Sequence, residues 1–180
     1  MKPLDRLGDR ERQIITERRR DGYGTGSLEQ LADLEGVLRA VLGLLLPGVP
    51  PAIDLAAFVD ATTGRALGRG DRPEGTPAEA ELFRGGLGAL RHAGFAAMGD
   101  DDQRALIGRM RRGEADDELG VPAKLFVDRL LDKALTGYLA HPDTWERIGF
   151  QGPAYPEGYA WIGPAEIRAR HDKKPGWKSL

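Results

Sequence analysis

Apolar residues recur every three or four positions through the central part of the chain, the spacing of one face of an α-helix. The clearest stretch is SLEQLADLEGVLRAVLGLLLPG, in which leucine and valine repeat at helical spacing. Ser27 and Gln30 have the spacing of a capping box, and Pro47–Gly48 is a stop signal. The pattern therefore predicts a central core helix that begins at Ser27 and ends before Pro47.

Four further segments show the same periodicity. A shorter helix is predicted in VPPAIDLAAFVDATTGRAL, and a longer one in TPAEAELFRGGLGALRHAGFAAMG, where Thr76 and Glu79 form a second capping box. The glycines of that segment favour close approach of a neighbouring helix. GDDDQRALIGRMRRGE carries acids at its start and arginines at its end, as the helix dipole favours. AKLFVDRLLDKALTGYLAHP predicts a long helix that ends at Pro142.

No segment alternates strictly enough to predict a strand. The pattern therefore predicts an all-α fold, an irregular bundle of about five helices with an extended, aromatic, Pro/Gly-rich C-terminal segment. With 180 residues, 41% hydrophobic and 30% charged, the chain suits a single domain. We expect a charged N-terminal arm over residues 1–26, the helical domain over 27–163 and a tail over 164–180.

Charge and composition exclude several functions. The formal net charge is −2, so nucleic-acid binding through a basic surface is not expected. The chain has no cysteine, which excludes disulfides, thiolate zinc sites and a cysteine nucleophile. The longest apolar stretch contains charges and prolines, so no direct membrane insertion is expected. The N-terminus has no apolar h-region, and we expect the protein to be cytoplasmic.

No catalytic, cofactor-binding or metal-binding constellation is predicted in this chain. None of the three histidines has the spacing of a metal site. His141 and Asp143 are the nearest approach to a ligand pair, but His141 is better explained as the last residue of a helix, interacting with free carbonyls. The runs ERRR and RMRR are interleaved with acids and are better explained as solvated faces.

The aromatic residues are concentrated near the C-terminus, where seven of the twelve lie between Tyr138 and Trp177. Rings on a proline-stiffened loop lose little entropy when buried, and tryptophan and tyrosine dominate interface energetics. The segment either contacts another polypeptide or folds back over the bundle. A mixture is expected, with Trp145, Ile148 and Phe150 inward and some of the later rings outward. The predicted partner contacts are Trp145, Phe150, Tyr155, Pro156, Tyr159, Trp161 and Trp177.

The segment GYLAHPDTWERIGFQGPAYPEGY, which begins at Gly137–Tyr138, resembles the C-terminal signature of the gluconate 2-dehydrogenase subunit 3 family. The core helix ending in LLLPG fits the family's opening, and the resemblance extends roughly over residues 27–163. It implies a small helical subunit that binds and stabilises a large, FAD-binding oxidoreductase subunit of the glucose–methanol–choline (GMC) type. FAD then belongs to the partner, and none is expected in this chain. Many family members carry a twin-arginine export signal, whereas ERRRDGYGTG is followed by no apolar region.

Three hypotheses follow. The first is the non-catalytic subunit of a hetero-oligomer that oxidises a sugar, glycoside or related alcohol. The second is a stand-alone helical small-ligand-binding protein or enzyme, with Tyr138, His141 and Asp143 near a pocket. The third is a nucleic-acid-binding module that uses the basic runs, and the balanced charge makes it the least favoured.

Overall fold

The computed structural model describes residues 28–63, 75–145 and 147–150, together with positions 9, 12, 13 and 15–17. Over these residues the chain is helical and contains no strand, which confirms the predicted all-α class. In chain order the helices are α1 (Glu35–Leu45), α2 (Leu55–Thr62), α3 (Glu79–His92), α4 (Asp100–Arg112), α5 (Asp116–Leu119), α6 (Ala123–Ala140) and α7 (Pro142–Trp145). Single 3₁₀ turns lie at Ala32–Leu34, before α1, and at Phe95–Ala97, between α3 and α4. Within the described ranges the five helices longer than one turn correspond to the five predicted ones.

The predicted start of the first helix is wrong. Residues 28–31 are not helical, and the 3₁₀ turn that leads into α1 has no side-chain cap. The reason is a contact from α2: the buried carboxylate of Asp60 accepts the backbone N–H of Glu29 at 2.8 Å and that of Leu31 at 2.6 Å. Since these donors are satisfied by Asp60, the helix begins after them. Ser27 lies outside the described residues.

The third predicted helix differs at both ends. Its first residue is Glu79, after an N-cap residue that makes no side-chain hydrogen bond, so the capping box predicted from Thr76 is wrong. Glu79 instead forms an ion pair with Lys133 of α6. The helix ends at His92 because Gly94 takes a left-handed conformation, with φ of 72°. Phe95 therefore enters the core from a separate 3₁₀ turn.

Helix α6 lies at the centre of the bundle and packs against α1–α5 and α7. Its inward face is fully buried at Phe126, Val127, Leu130 and Ala134. The buried core is completed from the other long helices chiefly by Leu38, Val41, Ala56, Val59, Phe83, Leu87, Leu90, Ile107 and Met110. Burial of this continuous apolar surface drives the helices together.

At two glycines a phenylalanine ring packs directly against the backbone of a helix, once on α6 itself and once on α3, which faces α6. A Cβ atom added to Gly137 of α6 would lie 2.6 Å from the ring of Phe58 on α2. A Cβ added to Gly86 of α3 would lie 2.4 Å from the ring of Phe126 on α6. The Phe126 ring also packs edge-on against Phe83, with centroids 6.2 Å apart. The prediction that the α3 glycines permit close packing is thus confirmed at Gly86.

Lys133 of α6 connects three elements from a largely buried position. Its ammonium donates to the carbonyl of Thr62 at 3.1 Å and pairs with Glu79. It also lies 5.8 Å from the centroid of the Phe83 ring. Because the last residue of α2 and the first residue of α3 meet on this one cation, Lys133 fixes both ends relative to α6.

Asp54 anchors the start of α2. Its carboxylate accepts the N–H of Ala57 at 3.0 Å as an N-cap and forms a two-pronged ion pair with Arg39 of α1, with both N–O distances 3.0 Å. Arg39 also pairs with Glu35 one turn earlier, at 2.7 Å. Burial raises the pKa of Asp54, but the hydrogen bonds from Arg39 and Ala57 lower it by more, so that its pKa lies below the ordinary value.

We expect Gly137→Ala to lower the free energy of unfolding by about 1–3 kcal/mol, because the added methyl group overlaps the Phe58 ring. Gly88→Ala in α3 is the matched control, since no atom lies within 4 Å of the position that its methyl group would take. That control should be neutral or more stable by up to about 1 kcal/mol, through helix propensity. Chemical denaturation of both variants measures the difference, and equal stability of the two would contradict the packing argument.

We expect Asp54→Asn to lower the free energy of unfolding by about 0.5–1 kcal/mol at pH 7, since asparagine keeps the cap but loses the ion pair. The pKa of Asp54 is lower in the folded state, so its contribution is complete above the unfolded pKa and is lost as pH falls through the folded value. The gap between wild type and variant should therefore shrink below about pH 4. Denaturation at a series of pH values measures this difference in stability. A difference that widens on acidification would contradict the prediction.

Candidate partner-binding site

The structure describes two of the seven predicted contact residues. Trp145 is buried, with 4% of its surface exposed, and Phe150 is 43% exposed. The other five, Tyr155, Pro156, Tyr159, Trp161 and Trp177, lie outside the described residues. The expectation that Trp145 points inward is confirmed, whereas partner contact by any of the seven stays a prediction.

Trp145 holds the end of the described chain against α6. Its indole Nε1 donates to the carbonyl of Leu139 at 3.3 Å, in the last turn of α6. Its ring meets the Phe150 ring edge to face, with centroids 5.4 Å apart and planes at 85°. The buried indole therefore supports the exposed phenyl ring from behind.

A tight turn between α6 and α7 makes this arrangement possible. His141 is the residue that ends α6, as predicted, and only 2% of its surface is exposed. Its carbonyl accepts the hydroxyl of Thr144 at 2.7 Å, and its Nδ1 accepts the backbone N–H of Asp143 at 3.1 Å. This nitrogen accepts a hydrogen bond, so the predicted interaction of His141 with helix carbonyls is not made through Nδ1 and stays a prediction for the rest of the ring.

Three large apolar side chains are exposed at this end of the bundle. Leu139 and Ile148 are each 47% exposed and Phe150 is 43% exposed, and no other large hydrophobic side chain of the described chain is exposed to this extent. We call these three residues the C-terminal patch. Because the three lie close in sequence at one end of α6, their exposure marks a candidate contact surface.

The expectation that Ile148 and Phe150 point inward is wrong. The backbone N–H of Ile148 donates to Thr144 at 3.1 Å and that of Phe150 to Trp145 at 2.9 Å, so the chain curls back over α7. Gly149, with φ of 70°, supplies the left-handed residue in this turn. Trp145 is buried against the end of α6, and the side chains described after it, at positions 147, 148 and 150, are exposed.

An open groove lies between α1 and α2. Leu42, Ile53 and Leu55 are buried beneath it, and half-buried Leu46 and Val49 form part of its walls. The connection Pro47–Pro51 contributes further wall residues, and the ion pair between Arg39 and Asp54 borders it. We call this feature the α1–α2 groove. The sequence analysis did not predict this groove. The three prolines of LPGVPPA do indicate a rigid connection between the two helices.

A hydrogen bond joins Arg147, the residue before Ile148 of the C-terminal patch, to the connection that borders the groove. The guanidinium of Arg147 donates to the carbonyl of Gly48, in the connection that borders the groove, at 3.4 Å. Arg147 directly precedes Ile148 in the chain. The side chain of Arg147 therefore reaches the border of the groove.

The remaining shifted pKa values belong to exposed ion pairs near the ends of α4 and α5. Arg109 lowers the pKa of Glu118 through a hydrogen bond of 2.5 Å, and Arg112 does the same for Glu114 at 2.7 Å. The interpretation of RMRR as a solvated face agrees with these pairs.

The described residues offer no group of three or more acidic, histidine or cysteine side chains placed to hold a metal ion. His141 Nδ1 and Asp143 Oδ2 are 3.8 Å apart, and the pair lies within the turn described above. Within the same described ranges, no helix is both long and apolar enough to cross a membrane.

Comparison with known proteins gives one family. Searches of curated proteins and of solved structures return no match to the chain. The family model described as gluconate 2-dehydrogenase subunit 3 matches residues 33–152. This match is shorter at both ends than the resemblance over 27–163, but it includes helices α1–α7 as bounded above and the C-terminal patch. The chain therefore belongs to the gluconate 2-dehydrogenase subunit 3 family.

Proposed function

We propose that this chain is the small, non-catalytic subunit of an FAD-dependent oxidoreductase of the GMC type, which acts on a sugar, glycoside or related alcohol. The observation that carries the proposal is the family match over residues 33–152, whose description is that of a dehydrogenase subunit. A subunit requires a surface for its partner, and the C-terminal patch lies within the matched residues.

The C-terminal patch has the build of an interface anchor. Phe150 presents an exposed ring that is held from behind by Trp145, so little side-chain entropy is lost when a partner covers it. Leu139 and Ile148, which both precede Phe150 in the chain, add two further exposed apolar side chains. Rigid aromatic anchors of this kind account for most of the affinity in many protein interfaces.

In this proposal FAD and the oxidation chemistry belong to the large subunit. The small subunit stabilises that flavoprotein by covering part of its surface, because binding to the folded state alone shifts the folding equilibrium towards it. The predicted contacts at Tyr155, Pro156, Tyr159, Trp161 and Trp177 would extend the interface beyond the C-terminal patch.

The second hypothesis, a stand-alone ligand-binding protein, predicts a pocket near Tyr138, His141 and Asp143. The α1–α2 groove is a pocket-like feature of the described chain, and none of these three residues lines it. We therefore keep the subunit hypothesis as the proposal.

Co-expression with a large FAD-binding subunit tests the function. We expect the two chains to co-purify in fixed stoichiometry, and the flavoprotein to lose solubility or flavin content when expressed alone. Failure of the wild-type chain to bind any co-expressed flavoprotein of this class, with both chains folded, would overturn the proposed function.

Two single substitutions, compared with each other, test whether the C-terminal patch is the contact surface. Ile148→Asp should weaken binding of the large subunit by about 10- to 100-fold, because a charge is placed in a desolvated interface. The control is Ala105→Asp, which adds the same charge to the exposed face of α4. Isothermal titration calorimetry of the two variants gives the comparison. Equal affinities would exclude the C-terminal patch as the contact while leaving the proposed function intact.

A further inference from the structure

We propose that residues 28–31 form a strap that opens while the helices stay folded, and that the buried carboxylate of Asp60 is the latch that holds the strap closed. We call residues 28–31 the N-terminal strap. The inference concerns a motion of the subunit by itself and goes beyond the proposed function, since it involves neither a partner nor the C-terminal patch. It rests on the hydrogen bonds of Asp60, on the non-helical backbone of the strap and on the exposure of the other polar contacts around it.

The latch is a buried carboxylate that depends on the strap for its hydrogen bonds. Asp60 lies on α2 and is 4% exposed. Its Oδ2 accepts the backbone N–H of Glu29 at 2.8 Å, and its Oδ1 accepts that of Leu31 at 2.6 Å. Within the described ranges no cation pairs with this carboxylate. A buried carboxylate without a cation requires donors for its oxygens, and both described donors come from the strap.

The backbone of the strap is separate from the helices that surround it. Residues 28–31 belong to no helix, and the 3₁₀ turn that follows them has no side-chain cap. Leu28 and Leu31 are the strap's contribution to the core, with 7% and 0% of their surface exposed. Opening of the strap therefore exposes two core side chains, whereas unfolding exposes the whole core. Because the cost of opening rises with the apolar area exposed, the strap should open far more often than the bundle unfolds.

The polar contacts on the outer side of the strap come from α3. Arg84 donates to the carbonyl of Gln30. Arg84 and Arg91 also pair with Asp33, just beyond the strap, at 3.6 Å and 3.3 Å. All three charged side chains are about half exposed, and exposed ion pairs contribute little because water competes for them and salt screens them. The charge-assisted hydrogen bonds of Asp60 lie in the low-dielectric interior, so the latch is the stronger fastening.

Opening of the strap would change where the N-terminal sequence leaves the bundle. The sequence before residue 28 is joined to the helices through the strap. In the open state the bundle would begin at the 3₁₀ turn Ala32–Leu34, and the core sites of Leu28 and Leu31 would be uncovered. The strap is thus an element with two states, and Asp60 sets their populations.

Hydrogen exchange of the wild-type, full-length chain tests whether the strap opens separately. The amides of Glu29 and Leu31 should exchange at least about tenfold faster than those of Phe126 and Leu130 in α6, and with a weaker dependence on denaturant, because a small opening exposes little surface. Equal rates with equal denaturant dependence would overturn the proposal, since the strap would then open only with the whole bundle. Amides of Glu29 and Leu31 without any protection would also overturn it, because the latch would not be closed.

Two matched substitutions test whether Asp60 is the latch. Asp60→Asn keeps the side-chain volume but replaces one acceptor oxygen by an NH₂ group that faces an N–H donor. Exchange at Glu29 and Leu31 should become about 10- to 100-fold faster, the loss expected for a buried, charge-assisted hydrogen bond. The control, Asp33→Asn, makes the same chemical change in the exposed ion pairs and should accelerate exchange by no more than about fivefold.

Equal acceleration in the two variants, or none in Asp60→Asn, would overturn Asp60 as the latch. The wild-type measurement decides whether the strap opens separately even if Asp60→Asn does not fold. Neither measurement involves the large subunit, so the strap and the proposed function fail separately.

Discussion

The bundle depends on two contacts between a glycine and a phenylalanine ring, and α6 takes part in both. Gly137 of α6 receives the ring of Phe58, and Gly86 of α3 receives the ring of Phe126, at distances that leave no room for a methyl group. Close-packed interiors tolerate such overlap poorly, so α2 and α3 are held at fixed positions against the central helix. Polar contacts then add direction: Lys133 joins the end of α2 to the start of α3, and Asp60 draws residues 29–31 onto α2.

The same central helix positions the candidate interface. The last turn of α6 supplies Leu139 to the surface and its carbonyl to the indole of Trp145. The turn at His141 and Thr144 reverses the chain so that Trp145 is buried and Phe150 is exposed. An exposed aromatic ring held by a buried one would lose little conformational entropy on contact with another protein, which is why the C-terminal patch is the candidate contact surface.

The match to the gluconate 2-dehydrogenase subunit 3 family includes both the helical bundle and the C-terminal patch. The match includes the whole described bundle from residue 33 onward and ends at residue 152, close to where the described chain ends. The bundle is thus the shared part of the family. The later aromatic residues, from Tyr155 onward, lie beyond the matched residues.

The sequence by itself determined the helical class, the five long helices and the family, because apolar periodicity and local stop signals are properties of neighbouring residues. Of the three rings and side chains expected to point inward, Trp145 does so. The helix starts at Ser27 and Thr76 were wrong because distant side chains, Asp60 and Lys133, take the groups that a local cap would use. The exposure of Ile148 and Phe150 and the α1–α2 groove were decided only by the tertiary structure. Burial depends on what packs against a side chain from elsewhere in the chain, and no local pattern records that.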